Sequence, residues 1–198
     1  MTEERQEAPK IAVTPLNRRW VLWYDNPRSA PEGTEWRDNL KKCGVFSSVE
    51  EFWSLFNNLK PAGMLSHGSN YHLFVEGVEP CWEDPANLKG GKFVLAMNRK
   101  DSREGRNDEW WLFTVLAVIG ETMDMEGSEI NGCVMSVRKQ QDKIALWLKS
   151  CDKDVCTQIG LRWKSAMGMS QKAGLQYQSH EAAANTGFSF RNASLFEI

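Results

Sequence analysis

The chain has 198 residues, a formal net charge of −2, and a composition of 41% hydrophobic and 25% charged residues. That length fits one domain of roughly 100–200 residues with a core that needs no disulfide or metal staple. The charge balance excludes a protein that tracks nucleic acid along its whole length, which would be strongly basic.

Nine tryptophans are more than a core of this size needs, since every buried indole N–H wants an acceptor. Some of them are expected to serve a surface. In chain order, residues 1–12 read as a polar, mobile arm, and residues 13–198 as one domain. The segment "NRRWVLWYD" alternates, with Trp20, Leu22 and Tyr24 on one face and Val21 and Trp23 on the other, which predicts a strand. A Pro/Gly loop follows and carries Trp36 at its far end.

"SSVEEFWSLFNNLKP" predicts a helix. Ser47 and Glu50 are spaced as a capping box, Val49, Phe52, Trp53, Phe56 and Leu59 recur at helical spacing, and Pro61 stops it. "YHLFVEG" and "KFVLAMN" predict strands on either side of "EPCWEDPANLKGGKF". "SREGRNDE" predicts a charged loop, with Asn107 or Asp108 capping a second helix from Glu109 to about Gly120.

"GCVMSVRKQQDKIALWLKS" predicts a hairpin turning at residues 139–142. Asp152 or Asp154 caps a third helix, with Gly168 placed to end it. "LQYQSH" and "FSFRN" predict terminal strands. Many strands with helices that do not alternate regularly among them give an α+β fold with an antiparallel sheet and the helices on one face.

Catalytic layouts are absent at the level of local motif. The three histidines, His67, His72 and His180, lie in no HExxH or other ligand spacing, there is no GxSxG, and "LKGGKF" lacks the flanking residues of a phosphate-cradling P-loop. The expectation is a protein that is not an enzyme and has no cofactor and no metal. Five cysteines (43, 81, 133, 151 and 156) form no CxxC, which suits reduced, inert thiols inside the cell. The longest apolar run, Trp110 to Ile119, is half of the roughly 20 residues a bilayer requires. The N-terminus has no secretory signal layout, and the sequon at Asn192 is then idle. The expected location is the cytoplasm, with the nucleus as a second compartment.

Binding chemistry is better supported. Glu83 is an acceptor-only carboxylate able to take two parallel N–H donors, such as N1–H and N2–H of a guanine edge. Trp82 beside it could stack on the base, and Pro80 and Pro85 limit the backbone freedom lost on binding. Trp36 is a candidate for the base's other face. In the hairpin, Lys143, Ala145 and Trp147 share one strand face, opposite Ile144, Leu146 and Leu148. Arg138 and Lys143 could grip phosphates. Taken singly, each has a plainer reading: Trp82, Trp147 and Trp53 as packing residues, Glu83 as a solvated acid, and Arg138 and Lys143 as hairpin-end charges.

Together, "NRRWVLWY", "VEEFWSLFN", "EPCWEDPANLKGGKF", "WLFTVLAVIGE", "VRKQQDKIALW" and "YQSH" closely resemble the eukaryotic translation initiation factor 4E family, which binds the messenger RNA cap. The blocks run in order from about Pro15 to Asn192. The resemblance implies a curved antiparallel sheet of about eight strands with three long helices on its convex face. It implies that Trp36 and Trp82 sandwich 7-methylguanine, Glu83 reads its edge, Trp147 touches the N7 methyl, and Arg138, Lys143 and Lys92 hold the triphosphate. It also implies a dorsal patch of Pro15, Val49, Trp53 and Leu112 that docks a scaffold initiation factor or binding protein carrying a Tyr-x4-Leu-apolar motif. The implied partners are thus capped messenger RNA and that protein, with no membrane.

Four positions depart from the family's usual pattern. Asn70 stands for an Asp that orients the phosphate-gripping Arg, Phe113 for an acid facing the partner helix, Thr14 for a His before Pro15, and Phe188 falls near a serine that some relatives phosphorylate. Asn70 and Phe113 motivate one alternative to an initiation role, a paralogue that sequesters caps and represses translation, and the Val49–Trp53 stripe motivates another, an interaction module with a vestigial pocket.

Overall fold

A computed structural model describes residues 13–124, 127–182 and 194–198, with Arg99 described in its backbone only. The strands are β1 (Pro15–Asp25), β2 (Lys41–Ser48), β3 (Asn70–Val75), β4 (Gly91–Met97), β5 (Ile130–Ser136), β6 (Asp142–Leu148), β7 (Gln176–Ser179) and β8 (Phe196–Glu197). They form one curved antiparallel sheet in the order β2-β1-β3-β5-β6-β4-β7-β8. The helices are α1 (Trp36–Asn39), α2 (Val49–Phe56), α3 (Arg99–Arg103), α4 (Arg106–Ile119) and α5 (Lys153–Ala166), with a 3-10 turn at Ala62–Met64.

Alternation along the strands divides the sheet into two faces. Leu22, Leu73, Ile144, Leu146 and Leu148 point into one core with Phe52 of α2, Trp111, Val115 and Val118 of α4, and Cys156, Ile159 and Trp163 of α5. Trp163 Nε1–H donates to Thr114 Oγ1 at 2.9 Å, so the two long helices share a polar tie inside the apolar layer. The opposite face carries a smaller cluster of Phe74, Val134 and Trp147. The α+β architecture, with α2, α4 and α5 packed on one face, is as the sequence implies, although α2 runs for only eight residues.

Several local expectations are corrected. The N-cap of α2 is Ser48, whose hydroxyl accepts from Glu51 N–H at 3.1 Å, one residue on from the expected box; Glu51 reaches back to Ser47 N–H at 2.7 Å, and Glu50 instead accepts from Thr14 N–H at 2.9 Å. Strand β2 is an addition: its Lys41-Lys42-Cys43-Gly44 start lacks an apolar alternation, because as the sheet's edge it pairs only with β1. The expected charged loop at 102–109 shrinks to Glu104 and Gly105: α4 takes its last four residues and α3, capped by Asn98 Oδ1 accepting from Lys100 and Asp101 N–H, its first two. Helix α4 begins at Arg106 after Gly105, so Asn107 and Asp108 lie inside its first turn; Asp108 there accepts from Gly63 N–H at 3.0 Å. Asp152 is the cap of α5. The N-terminal arm, the "FSFRN" strand, Phe188 and the sequon asparagine lie outside the described residues.

Candidate functional site

The concave face bears a cavity of about 360 Å³. Sheet register builds its floor in rows. One row runs Asp25–Asn70–Ser136–Lys143 across β1, β3, β5 and β6. The next runs His72–Val134–Ala145–Val94, and a third Phe74–Gly132–Trp147–Lys92–Gln178. A polar end, a flat floor of small side chains and an aromatic end thus follow from registration alone. The face shared by Lys143, Ala145 and Trp147 lines the cavity, as their alternation predicts, while Ile144, Leu146 and Leu148 fill the core behind.

Trp36 opens α1, and Trp82 and Glu83 sit in the loop between β3 and β4; all three line the cavity. The Trp36 ring stands edge-on to His72, centroids 6.2 Å apart. Trp82 is half-buried against the Phe74/Val134/Trp147 cluster. Glu83 is exposed and receives no hydrogen bond from the other described residues, so both oxygens remain available as acceptors.

The loop holding Trp82 and Glu83 is fixed by residues that look unremarkable in sequence. Asp84 accepts from Glu79 N–H and Ala86 N–H, both at 2.8 Å. Buried Asn87 donates to the carbonyls of Glu79 and Cys81, and Asn131 of β5 donates to Ala86 O and Asn87 Oδ1. The second acid of the Trp-Glu-Asp run is therefore scaffold and the first is the free acceptor. Arg37 of α1 pairs with Glu79 at 2.9 Å, joining the elements that carry the two tryptophans; both groups are exposed, so the pair adds registry more than stability.

At the polar end, Arg138 donates through Nη2 to Asn70 Oδ1 at 2.7 Å and through Nη1 to the Ser69 and Val137 carbonyls. Its own N–H is held by Asp142 Oδ1, which closes the hairpin turn. The Asp-to-Asn departure at position 70 thus leaves the guanidinium held in place. Lys143 and Lys92 line the same cavity, and Lys92 Nζ lies 5.5 Å from the Trp147 ring centroid. Trp147 is backed by His180, centroids 4.1 Å apart, and by Phe74 at 5.3 Å.

Burial pulls Arg138, Lys143 and Lys92 all below their ordinary values; Lys143 pushes on Lys92 and Arg138 on Lys143, and Lys92 comes down to about 8. Three partly to fully buried cations that repel one another form a site that a polyanion would relieve. A flat-floored cavity lined by two indoles, an acceptor-only carboxylate and three cations suits a purine nucleotide.

Comparison with known proteins agrees with that outline. The family model for eukaryotic initiation factor 4E matches residues 15–195. The chain belongs to the eukaryotic initiation factor 4E family. It is 42% identical over 176 residues to eukaryotic translation initiation factor 4E of Candida albicans, covering 89% of this chain and 84% of that one. Among solved structures it is similar to C. elegans eIF4E-3 in complex with the 4E-binding protein Mextli and cap analog, at TM-score 0.83 and 34% identity over 94% of this chain and 100% of that chain. It is equally similar to Ascaris suum eIF4E-3 with m7G cap, at TM-score 0.83 and 34% identity over 94% and 98% of the two chains.

Within this initiation factor 4E fold, the four dorsal positions lie on the helical side. Pro15 pairs with Ser48 at the start of β1, and Val49 N–H donates to Thr14 O at 2.9 Å, so Pro15 and Val49 are neighbours. Trp53, one turn further along α2, and Leu112 on α4 are half-buried over the same core. Phe113 is 37% exposed, which makes this side more apolar than an acid there would.

Proposed function

We propose that this chain binds the 7-methylguanosine cap of messenger RNA in the concave cavity and recruits the message for translation initiation, in the cytoplasm, through its helical side. The observation that carries the reading is one cavity lined by Trp36, Trp82 and Glu83 together with Arg138, Lys143 and Lys92. Trp36 and Trp82 take the two faces of the base. Methylation at N7 makes that base cationic, so two indole faces favour it over guanine by cation–π attraction. Glu83 accepts from N1–H and N2–H, Trp147 meets the methyl group, and the three cations take the triphosphate. Pro15, Val49, Trp53 and Leu112 receive an amphipathic helix carrying a Tyr-x4-Leu-apolar motif, by the helix-in-groove mode.

Retention on a 7-methyl-GTP resin, with elution by 7-methyl-GTP but not by GTP, tests the base reading. The same resin loaded with a fluorescent Tyr-x4-Leu-apolar peptide tests the rest. Wild type is expected to hold both, and Trp53→Ala to stay on the resin while losing the peptide. Elution by GTP at equal concentration, or peptide capture unchanged in Trp53→Ala, contradicts the respective half.

Lys92 gives the site a pH dependence of definite sign. Its folded-state value of about 8 lies below the ordinary 10.5, chiefly through burial. Between these values the unfolded chain binds more protons, so this residue makes fold stability rise with pH. Triphosphate binding has the opposite sign, because it needs the ammonium: affinity falls as pH rises through about 8. The methylated base also sheds its N1 proton in alkali, so the comparison is with Lys92→Arg, which stays charged. From pH 7.5 to 9, calorimetry is expected to show wild type losing several-fold more affinity for 7-methyl-GTP than Lys92→Arg. Parallel pH profiles overturn the assignment.

A further inference from the structure

Asp25 closes β1 at the floor of the cavity, wholly buried, and Asn70 sits opposite it across the β1–β3 pair. One of its oxygens, Oδ1, accepts from Asn70 Nδ2 and from His72 Nε2, each at 2.8 Å. The other, Oδ2, is buried and has no hydrogen-bond partner among the described residues. Burying a carboxylate with an unmatched oxygen costs free energy, and an apolar residue would serve the sheet better, so core stability does not account for it.

The direction of the hydrogen bonds does. A carboxylate only accepts, so the Asn70 side chain must turn its NH2 toward Asp25. That leaves Asn70 Oδ1 facing the other way, where it accepts from Arg138 Nη2 at 2.7 Å. The same logic puts a proton on His72 Nε2 and fixes the imidazole that the Trp36 ring stands against. The charge of Asp25 also favours the Arg138 cation.

We propose that Asp25 is a positioning residue of the cap site, orienting Arg138 toward the triphosphate through Asn70. The inference rests on the cap reading above. An amide between acid and guanidinium holds the fork in place while leaving its charge less neutralised than direct pairing would. Removing the acid frees the Asn70 amide to flip, and Arg138 then loses its Nη2 acceptor and keeps the Ser69 and Val137 carbonyls on Nη1, which lets the fork turn.

The test compares binding of 7-methyl-GTP and of 7-methylguanosine, whose affinity ratio isolates the phosphate contribution. Asp25→Asn is expected to lower that ratio about tenfold with little change for 7-methylguanosine. Asn70→Asp sets two carboxylates in contact and is expected to lower it as well. The exchange variant Asp25→Asn with Asn70→Asp restores a single acid, now beside Arg138, and is expected to recover most of the ratio, an interaction read by the double-mutant cycle. If Asn70→Asp does not fold, Asp25→Asn and the exchange variant decide alone. An unchanged ratio in Asp25→Asn, equal losses for both ligands, or no recovery on exchange overturns the positioning role. Failure of wild type to bind either ligand overturns the cap reading itself.

Discussion

Trp82→Ala is expected to raise the dissociation constant for 7-methyl-GTP by about 100-fold or more. Stacking on one aromatic side chain is worth about 1–3 kcal/mol per base, and a desolvated cation over an indole adds about 0.5–2 kcal/mol. Their sum, near 3 kcal/mol, corresponds to roughly two decades in affinity. The ring is half-buried and packs on Phe74, Val134 and Trp147, whereas its loop is pinned by Asp84, Asn87 and Asn131. The loop therefore keeps its shape without the indole, and the melting temperature is expected to change by only a few degrees. Trp36→Ala should produce a comparable loss of affinity, since the slot needs both walls. Trp82→Phe should fall between wild type and alanine, because a phenyl ring is a poorer cation acceptor than an indole. Isothermal titration of folded variants measures all three. An alanine variant that binds within threefold of wild type would falsify the sandwich.

Much of this site was legible in the sequence because its chemistry sits in short, unusual juxtapositions. Trp82 next to Glu83, and Lys143, Ala145 and Trp147 at spacing two, break the ordinary rules for exposing rings and burying charges. The structure brings them, with Trp36, Arg138 and Lys92, to one cavity. What escaped was carried by register. Asp25 looks like the last residue of a strand, and nothing in "LWYDNP" says that it will lie opposite Asn70 and reach His72 and, through the amide, Arg138. Asn87 and Asn131 are 44 residues apart and acquire meaning only when β5 passes beneath the loop. The same holds for the fold. Strands with an apolar face declared themselves, while β2, whose first half is Lys-Lys-Cys-Gly, is a strand because β1 offers it an edge. The capping box slipped by one residue because two serines stand in series and Ser48, the last residue of β2, directly precedes the helix.

Gly90→Ala is expected to destabilise the fold by about 3 kcal/mol, at the upper end of overpacking costs. For a domain of this size that lowers the melting temperature by roughly 6–12 °C. The "GG" of the loop invites a reading as a phosphate cradle, but its reason is contact. A Cβ on Gly90 would stand 2.0 Å from Leu148 O, and one on Gly91 would stand 2.5 Å from Gln178 O and 2.7 Å from the Tyr177 ring. The first obstacles met are main-chain oxygens of neighbouring strands, so no side-chain rotation relieves them. The two glycines let the cap loop pass into β4 while β6 and β7 close on it from both sides. Gly90 also accepts from His180 N–H at 3.0 Å, and a shift there disturbs the packing behind Trp147. The loss should therefore extend to cap affinity, through Lys92 two residues on. Gly33→Ala is the control: nothing lies within 4 Å of its Cβ, and the cost is confined to its backbone at φ +82, about 1–2 kcal/mol. Thermal unfolding by circular dichroism separates the two. A Gly90→Ala protein melting within 3 °C of wild type, or no lower than Gly33→Ala, contradicts the contact argument.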